Sequence, residues 1–160
     1  MVRVLFVCLG NICRSPTAHG VFEHLLEREG LAGAVMVDSA GTGAWHAGNP
    51  PDKRAQLAAQ ERGYDLSSIR ARQVEEKDFE VFDYILAMDK SNRTDLFEMA
   101  DHSTKEKISL LLDFADNAAQ EVPDPYYGGD RGFNTVLDLV EEACEGLLRD
   151  IKNKYLLDLK

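Results

Sequence analysis

The residues with the clearest chemical potential lie near the amino terminus, in the segment Cys-Leu-Gly-Asn-Ile-Cys-Arg-Ser at positions 8–15. A cysteine becomes a nucleophile as its thiolate, and an arginine can grip two phosphoryl oxygens with its planar guanidinium. The spacing of Cys8 and Arg14 is by itself a weak motif, because short Cys…Arg pairs arise often by chance. The surrounding sequence has to decide whether Cys8 is structural or catalytic.

The sequence around this segment predicts an anion-binding loop. Residues 2–7 are rich in β-branched and aromatic side chains, as in a strand buried on both faces, and an apolar helical stripe follows Pro16. Ser15 is a candidate N-cap for that helix, and Gly10 and Asn11 tolerate left-handed backbone angles. N–H groups of a tight loop and of a helix start converge on one centre. The loop therefore combines a phosphate cradle with a cysteine that the same dipoles favour as a thiolate.

A phosphoryl transfer also needs a proton for the leaving oxygen, and the best candidate donor is Asp124, in the segment Val-Pro-Asp-Pro-Tyr-Tyr. Prolines on both sides keep Asp124 extended and out of a helix. The adjacent Tyr126 and Tyr127 offer an apolar wall for an aromatic leaving group. Asp124 would act first as general acid and then as general base for the attacking water.

The elements that must position these residues alternate between strands and helices. The predicted strands are residues 2–7, 35–38, 83–88 and 108–112, of which the last also allows a helix. Four helices are predicted. The first starts at Pro16 and stops at Gly30, the second and third span about residues 50–63 and 91–100, and the last starts near Phe133. This order predicts an α/β fold, a parallel sheet with helices on both faces, in one domain over residues 1–160. Ligands of such sheets bind at the carboxyl ends of the strands, so the loops in question share a cleft.

Composition narrows the function classes. The chain has 44% hydrophobic and 29% charged residues and a net charge of −10. The negative charge disfavours a nucleic-acid partner. It also means that any phosphate group has to be bound by a local cluster of hydrogen-bond donors. No apolar run is long enough for a membrane span or signal peptide, and an odd count of three cysteines suits a reducing compartment. The four histidines lack the spacing of a metal site. We expect a cytoplasmic monomer without a metal or cofactor.

These motifs resemble those of the low-molecular-weight protein tyrosine phosphatase family. The similarity includes the loop at 8–15, the Asp-Pro-Tyr-Tyr segment, residues 39–50 with Trp45, and residues 82–89, in order along essentially the whole chain. The resemblance implies a four-stranded parallel sheet with flanking helices and hydrolysis of phosphotyrosine through a phosphocysteine on Cys8.

The resemblance also implies roles for individual residues. Cys8 is the nucleophile, Arg14 binds the phosphate and Asp124 is the general acid. The expected phosphate- and substrate-binding residues are Leu9, Gly10, Asn11, Ile12, Cys13, Ser15, Trp45, Tyr126 and Tyr127. Within this set the family assigns loop shaping and thiolate support to Asn11 and Ser15, cleft walls to Trp45 and Tyr126, and a protective disulfide with the nucleophile to Cys13. Ile12 matches the tyrosine-directed members, whereas arginine-phosphatase relatives tend to carry threonine there.

One departure from the family pattern concerns the support of the loop. Family members often have a histidine just before the segment Arg-Ala-Arg at 70–72, where it braces the phosphate loop. Here the neighbours are Ser67, Ser68 and Ile69, so the brace has to come from elsewhere.

Two other functions and several structural roles stay open at this point. An arsenate reductase uses the same fold but needs further cysteines as a relay, and none lies between Cys13 and Cys144. A non-catalytic phosphate-binding module would have lost the nucleophile or the acid, and the chain retains both. Cys13 fits a packing residue as well as a redox partner, Cys144 fits core filling, and Trp45 could serve only to anchor its loop.

Overall fold

A parallel β-sheet forms the centre of the fold in the computed structural model, which describes residues 1–116, 119–125 and 130–155. Its strands are β1 Val2–Cys8, β2 Val35–Gly41, β3 Tyr84–Ala87 and β4 Ile108–Leu110. They lie in the order β2-β1-β3-β4, and all neighbours are parallel. The predicted four-stranded parallel sheet is confirmed, and the carboxyl ends of β1 and β3 are adjacent.

Helices connect these strands. They are α1 Arg14–Arg28, α2 Lys53–Glu61, α3 Asp78–Val81, α4 Lys90–Met99 and α5 Asp130–Tyr155. Two short 3₁₀ turns, Lys105–Lys107 and Leu111–Phe114, flank β4. Among the helices within the described ranges, none has the length and apolarity to cross a bilayer.

Helices cover both faces of the sheet, as predicted. Alternate side chains of β1 point to opposite faces because the period of a strand is two residues. Val4 and Phe6 belong to the core under α1 and α5, whereas Leu5 and Val7 pack in a second core with Leu96 of α4. All four of these β1 side chains are fully buried. β1 is thus fixed from both sides, and the loop at its end starts from a rigid position.

The start of α1 differs from the prediction. The helix begins at Arg14, and Cys13 occupies the N-cap position without a side-chain cap. The predicted cap, Ser15, is wrong because its hydroxyl lies 3.0 Å from the Cys8 sulfur instead. The other end agrees with the prediction, since Gly30 follows the helix with φ of +72°. The predicted apolar stripe is buried throughout: Ala18, Val21, Phe22, Leu25 and Leu26.

Several other boundaries are also displaced. β2 extends to Gly41 because its pairing with β1 continues as far as Gly41 opposite Cys8. The Gly41 N–H also donates to the Arg72 carbonyl, at 2.8 Å. α2 begins after the two prolines, where the Asp52 carboxylate accepts the Arg54 N–H, at 2.8 Å, as an N-cap. α5 begins at Asp130, earlier than predicted. β4 ends at Leu110 in a 3₁₀ turn, which corrects the strand predicted to residue 112.

Candidate active site

The loop at 8–15 leaves the carboxyl end of β1 and enters α1, as the sequence predicted. Its backbone packs against the end of β2, where the N–H groups of Thr42 and Gly43 donate to the carbonyls of Cys8 and Leu9, at 2.9 and 3.0 Å. Gly41 makes this approach possible, because a Cβ there would lie 2.8 Å from the Leu9 carbonyl oxygen. The loop is thus held by backbone contacts with the neighbouring strand.

The Cys8 sulfur lies at the base of the loop and accepts local hydrogen bonds. The Asn11 N–H donates to it at 3.3 Å, and the Ser15 hydroxyl lies 3.0 Å away. Because Ser15 Oγ accepts from Asn11 Nδ2 at 2.8 Å, its single proton is left for the sulfur or for the Ala40 carbonyl, which lies 3.5 Å away. Both contacts to the sulfur hold it at the base of the loop.

Asn11 holds the loop in shape. Its φ of +59° is the left-handed conformation that the sequence predicted for this turn, whereas Gly10 has no positive φ. A Cβ at Gly10 would lie 3.0 Å from the His46 ring, so a larger residue there would displace that side chain slightly. The Asn11 side chain is buried and bonded at both ends, to Ser15 and to the Arg72 N–H at 3.0 Å.

Two sets of contacts hold the loop where family members have a histidine: one involves the backbone of Arg72 and the other a residue of α1. Arg72, which offers its N–H to Asn11, is itself fixed by Asp38 and Asp78, at 3.1 and 2.9 Å. Ile69, near the position of the missing histidine, is buried in the core.

A histidine on α1 provides a second brace. Buried His19 places its Nδ1 2.9 Å from the hydroxyl of Ser39 on β2, and its Nε2 3.2 Å from Glu23. His19 lies one helical turn after Ser15, so this bond ties the first turns of α1 to the strand beside the loop. The sequence alone did not predict this contact, since it only indicated that the histidines lack the spacing of a metal site.

Arg14 is the buried cation of the site. Its Nη1 donates to Asp89, which follows β3, at 2.6 Å and to the Val122 carbonyl at 3.1 Å. Burial opposes its charged form, but the Cys8 sulfur and the Asp89 and Asp124 carboxylates outweigh burial and raise the pKa of the guanidinium. Arg14 therefore remains charged and has a fixed orientation.

Asp124 lies beside this guanidinium. Its Oδ2 is 3.8 Å from Arg14 Nη2, and its side chain is 40% exposed. The structure thus brings the predicted acid, the arginine and the loop of Cys8 to the same cleft, although they are far apart in sequence.

This cleft has a volume of about 300 Å³. Its walls are Cys8, Leu9, Gly10, Ile12, Cys13, Arg14, Trp45, His46 and Asp124. Trp45 is 71% exposed at the rim. Asn11 and Ser15 belong to the loop but do not line the cleft, and both contact the Cys8 sulfur. Tyr126 and Tyr127 lie outside the described residues.

Cys13 differs from Cys8 in its surroundings. It packs in a small apolar cluster with Ala55 and Phe133. Burial, together with the negative charges of Asp52 and Cys8, raises the pKa of the Cys13 thiol to about 12. Cys13 is thus a neutral thiol near pH 7, and all three cysteines are free thiols. Cys144 is fully buried in α5, as its core-filling role predicted.

Two residues at the site were not predicted: His46, which lines the cleft, and Asp89, which is not part of the lining but contacts Arg14. Asp89 orients Arg14 and caps α4, and its position after the carboxyl end of β3 was the available signal. His46 follows Trp45 and packs on Gly10, a contact that no spacing rule indicates. Within residues 1–116, 119–125 and 130–155, no three His, Cys, Asp or Glu side chains are grouped as metal ligands.

Comparison with known proteins places this geometry in a family. The model of the low molecular weight phosphotyrosine protein phosphatase family matches residues 3–156. The Bacillus subtilis low molecular weight protein-tyrosine-phosphatase YfkJ is 45% identical over 155 residues, which cover 96% of this chain and 98% of the relative. The human low molecular weight phosphotyrosine protein phosphatase is 43% identical over 147 residues, or 91% of this chain and 92% of that protein.

Solved structures agree with the sequence comparison. A protein tyrosine phosphatase from Entamoeba histolytica superposes with a TM-score of 0.92 at 42% identity, covering 96% of this chain and 98% of that one. The crystal structure of YfkJ from Bacillus subtilis also gives a TM-score of 0.92, at 44% identity, with 97% of each chain covered. The chain belongs to the low-molecular-weight phosphotyrosine protein phosphatase family.

Proposed function

We propose that this chain is a cysteine-dependent protein tyrosine phosphatase, which hydrolyses phosphotyrosine and small aryl phosphates through a phosphocysteine on Cys8. One observation carries the proposal: Cys8, Arg14 and Asp124 border a single cleft, and Arg14 lies 3.8 Å from Asp124. This constellation provides a nucleophile, a cation for the phosphoryl oxygens and an acid for the leaving group.

In the first step the Cys8 thiolate attacks phosphorus. The S–P bond forms as the bond from phosphorus to the phenolic oxygen breaks, and that oxygen takes the proton of Asp124. Ser15 and the Asn11 N–H hold the sulfur at the base of the loop. The guanidinium of Arg14 and the free N–H groups at the start of α1 stabilise the charge on the transferring group.

In the second step water removes the phosphoryl group from sulfur. Asp124, now a carboxylate, takes a proton from the water as the new O–P bond forms and the S–P bond breaks. The products are inorganic phosphate, a regenerated thiolate and a protonated Asp124. The loop and Arg14 stabilise this transition state in the same way, because the same oxygens carry the charge.

The walls of the cleft favour an aromatic ester. Leu9 and Ile12 form an apolar side, and the exposed ring of Trp45 offers a stacking surface. Ile12, where threonine is typical of arginine phosphatases, supports phosphotyrosine as the substrate. Free thiols throughout the chain fit the cytoplasmic location that we expect.

The alternatives find less support. An arsenate reductase relay would have to use Cys144, which is fully buried in α5. A non-catalytic phosphate-binding module would not require Asp124 beside the phosphate-binding arginine. Neither alternative accounts for both a nucleophile and an acid in one cleft.

The decisive experiment compares phosphotyrosine, phosphoserine and phosphoarginine peptides with the wild type and Cys8→Ser. We expect turnover of phosphotyrosine alone, its loss in the variant, and retained binding of inorganic phosphate by the variant. Turnover by Cys8→Ser would refute the nucleophile, and faster hydrolysis of phosphoarginine would refute the substrate class. A thioredoxin-coupled arsenate assay on the wild type should give no reduction.

A second experiment tests the acid. Asp124→Ala should lower kcat/KM by about 10²-fold or more for aryl phosphates with basic leaving groups, and much less for nitrophenyl phosphates, which leave without a proton. An equal loss for both classes would remove Asp124 from this role.

A further inference from the structure

We infer that Glu121 is a positioning residue for the general acid, because it anchors the segment that carries Asp124 to the amino terminus of α4. The inference rests on the proposed role of Asp124. We call residues 119–125 the acid segment.

The anchor is a charge-assisted hydrogen bond. Glu121 Oε2 accepts the N–H of Lys90, the first residue of α4, at 2.8 Å. The first N–H groups of a helix have no partner within the helix, and the helix dipole favours a negative charge there. Asp89 occupies the N-cap and accepts the Asn92 N–H at 2.7 Å, so the two carboxylates satisfy different donors of the same turn.

The next residue adds a second attachment. Val122 is fully buried, its N–H donates to the Met88 carbonyl at 2.8 Å, and its carbonyl accepts from Arg14 at 3.1 Å. Glu121 and Val122 therefore tie the acid segment to the end of β3, to α4 and to the phosphate-binding arginine.

The chain between this anchor and the acid is stiff. Pro123 and Pro125 fix their own φ angles, and Pro125 restricts Asp124 to extended conformations. Pro125 is buried and packs against α5, where a Cβ on Gly132 would lie 3.3 Å from its Cβ. With both ends attached and few free torsions between, the position of the Asp124 carboxylate depends on Glu121 and Val122 on one side and on Pro125 on the other. Loss of the anchor should loosen the acid without removing any group that contacts phosphate.

The test measures kcat/KM for a series of aryl phosphates with leaving groups from nitrophenol to phenol, in the wild type, Glu121→Ala, Glu121→Gln and Asp124→Ala. We expect Glu121→Ala to lower kcat/KM for phenyl phosphate by about three- to tenfold and for nitrophenyl phosphate by less than about twofold. Glu121→Gln keeps a hydrogen-bond acceptor but loses the charge, so its kcat/KM for phenyl phosphate should lie between those of the wild type and Glu121→Ala. Inhibition by inorganic phosphate should be unchanged.

The control is Glu98→Gln, since Glu98 is an exposed carboxylate on the same helix, far from its amino terminus. It should leave the whole series unchanged. In the Asp124→Ala background, Glu121→Ala should no longer alter the ratio between poor and good leaving groups, because no acid remains to be positioned.

The following results would overturn the inference. An equal loss for all leaving groups, or weaker phosphate inhibition, would show that Glu121 supports Arg14 or the fold and not the acid. An undiminished effect in the Asp124→Ala background would show the same. If the loss of kcat/KM in Asp124→Ala does not depend on the leaving group, the proposed acid is wrong and this inference is wrong with it. If Asp124→Ala shows the expected dependence on the leaving group but Glu121→Ala matches the wild type, only this inference is wrong.

Discussion

Cys8 and Cys13 border the same cleft but have opposite surroundings. Cys8 lies within hydrogen-bonding distance of the Ser15 hydroxyl and the Asn11 N–H. Cys13 is buried in an apolar cluster with the Asp52 carboxylate nearby. The two thiols are therefore suited to different tasks, and of the two only Cys8 is held by polar groups at the base of the loop.

This difference gives a prediction for the reactivity of Cys13. In the Cys8→Ser variant, alkylation of Cys13 by iodoacetamide should be very slow near neutral pH, because burial and the Asp52 carboxylate still raise the pKa of the Cys13 thiol after the Cys8 charge is removed. The rate should rise by about tenfold for each pH unit, without a plateau up to about pH 10, while the fold persists. Peptide mass spectrometry separates Cys13 from Cys144. A plateau near the ordinary pKa of a thiol would contradict the account.

Among single residues, the sequence predicted those that lie in a recognisable segment and missed those whose role depends on contacts made in the fold. Cys8, Arg14 and Asp124 each lie in a recognisable segment, with a strand and helix around the first two and prolines around the third. Asp89 and His46 gain their roles only from what they face across the fold, namely Arg14 and Gly10.

The elements were predicted where a strong local pattern marks them. The stripe of α1 is a periodic signal, the continuous β-branched run of β1 is typical of a strand buried on both faces, and both elements are found with buried residues at the expected positions. Their ends are less predictable, because a polar side chain at the end of a helix can bond either to the helix backbone, as a cap, or to a group elsewhere in the fold. Ser15 illustrates this, since it serves the Cys8 sulfur and leaves α1 without a side-chain cap. The end of β2 is likewise set by a contact distant in sequence, since its pairing with β1 continues to Gly41 opposite Cys8.

The contact of α5 with the 3₁₀ turn after β4 gives a prediction about packing. A Cβ at Gly146 would lie 1.8 Å from the Phe114 carbonyl oxygen and would force the helix away from the turn. Gly146→Ala should reduce the free energy of unfolding by about 1–3 kcal/mol, measured by urea denaturation.

The matched control for this change is Gly33→Ala, where nothing lies within 4 Å of the new methyl group. It should alter the free energy of unfolding by less than about 0.5 kcal/mol. Equal stability of the two variants would show that α5 does not pack as closely as described.

The whole molecule carries a net charge of −10 and still has to accept a dianionic substrate. The structure resolves this conflict locally, since a buried arginine and the amino terminus of α1 meet at the cleft. The distant surface still repels an approaching anion, whereas the cleft attracts it at short range. Sequence composition predicted the repulsion, but only the fold shows how closely the compensating groups are gathered.

This balance predicts an unusual dependence on salt. Because screening weakens the long-range repulsion more than the short-range attraction, kcat/KM for an aryl phosphate should rise by about two- to threefold between low and physiological ionic strength. A variant with two exposed carboxylates reversed, Glu76→Lys with Glu98→Lys, should show a smaller rise. A steady fall of kcat/KM with added salt in the wild type would contradict this description.

The central claim, a phosphoryl group carried by Cys8, is tested most directly by trapping the intermediate. The wild type is mixed with an aryl phosphate, quenched rapidly by denaturation during turnover, digested and analysed by mass spectrometry. We predict one phosphoryl group on the peptide that contains Cys8, present also in Cys13→Ser and absent in Cys8→Ser. A phosphoryl group on any other residue, or turnover by Cys8→Ser at the wild-type rate, would contradict the account.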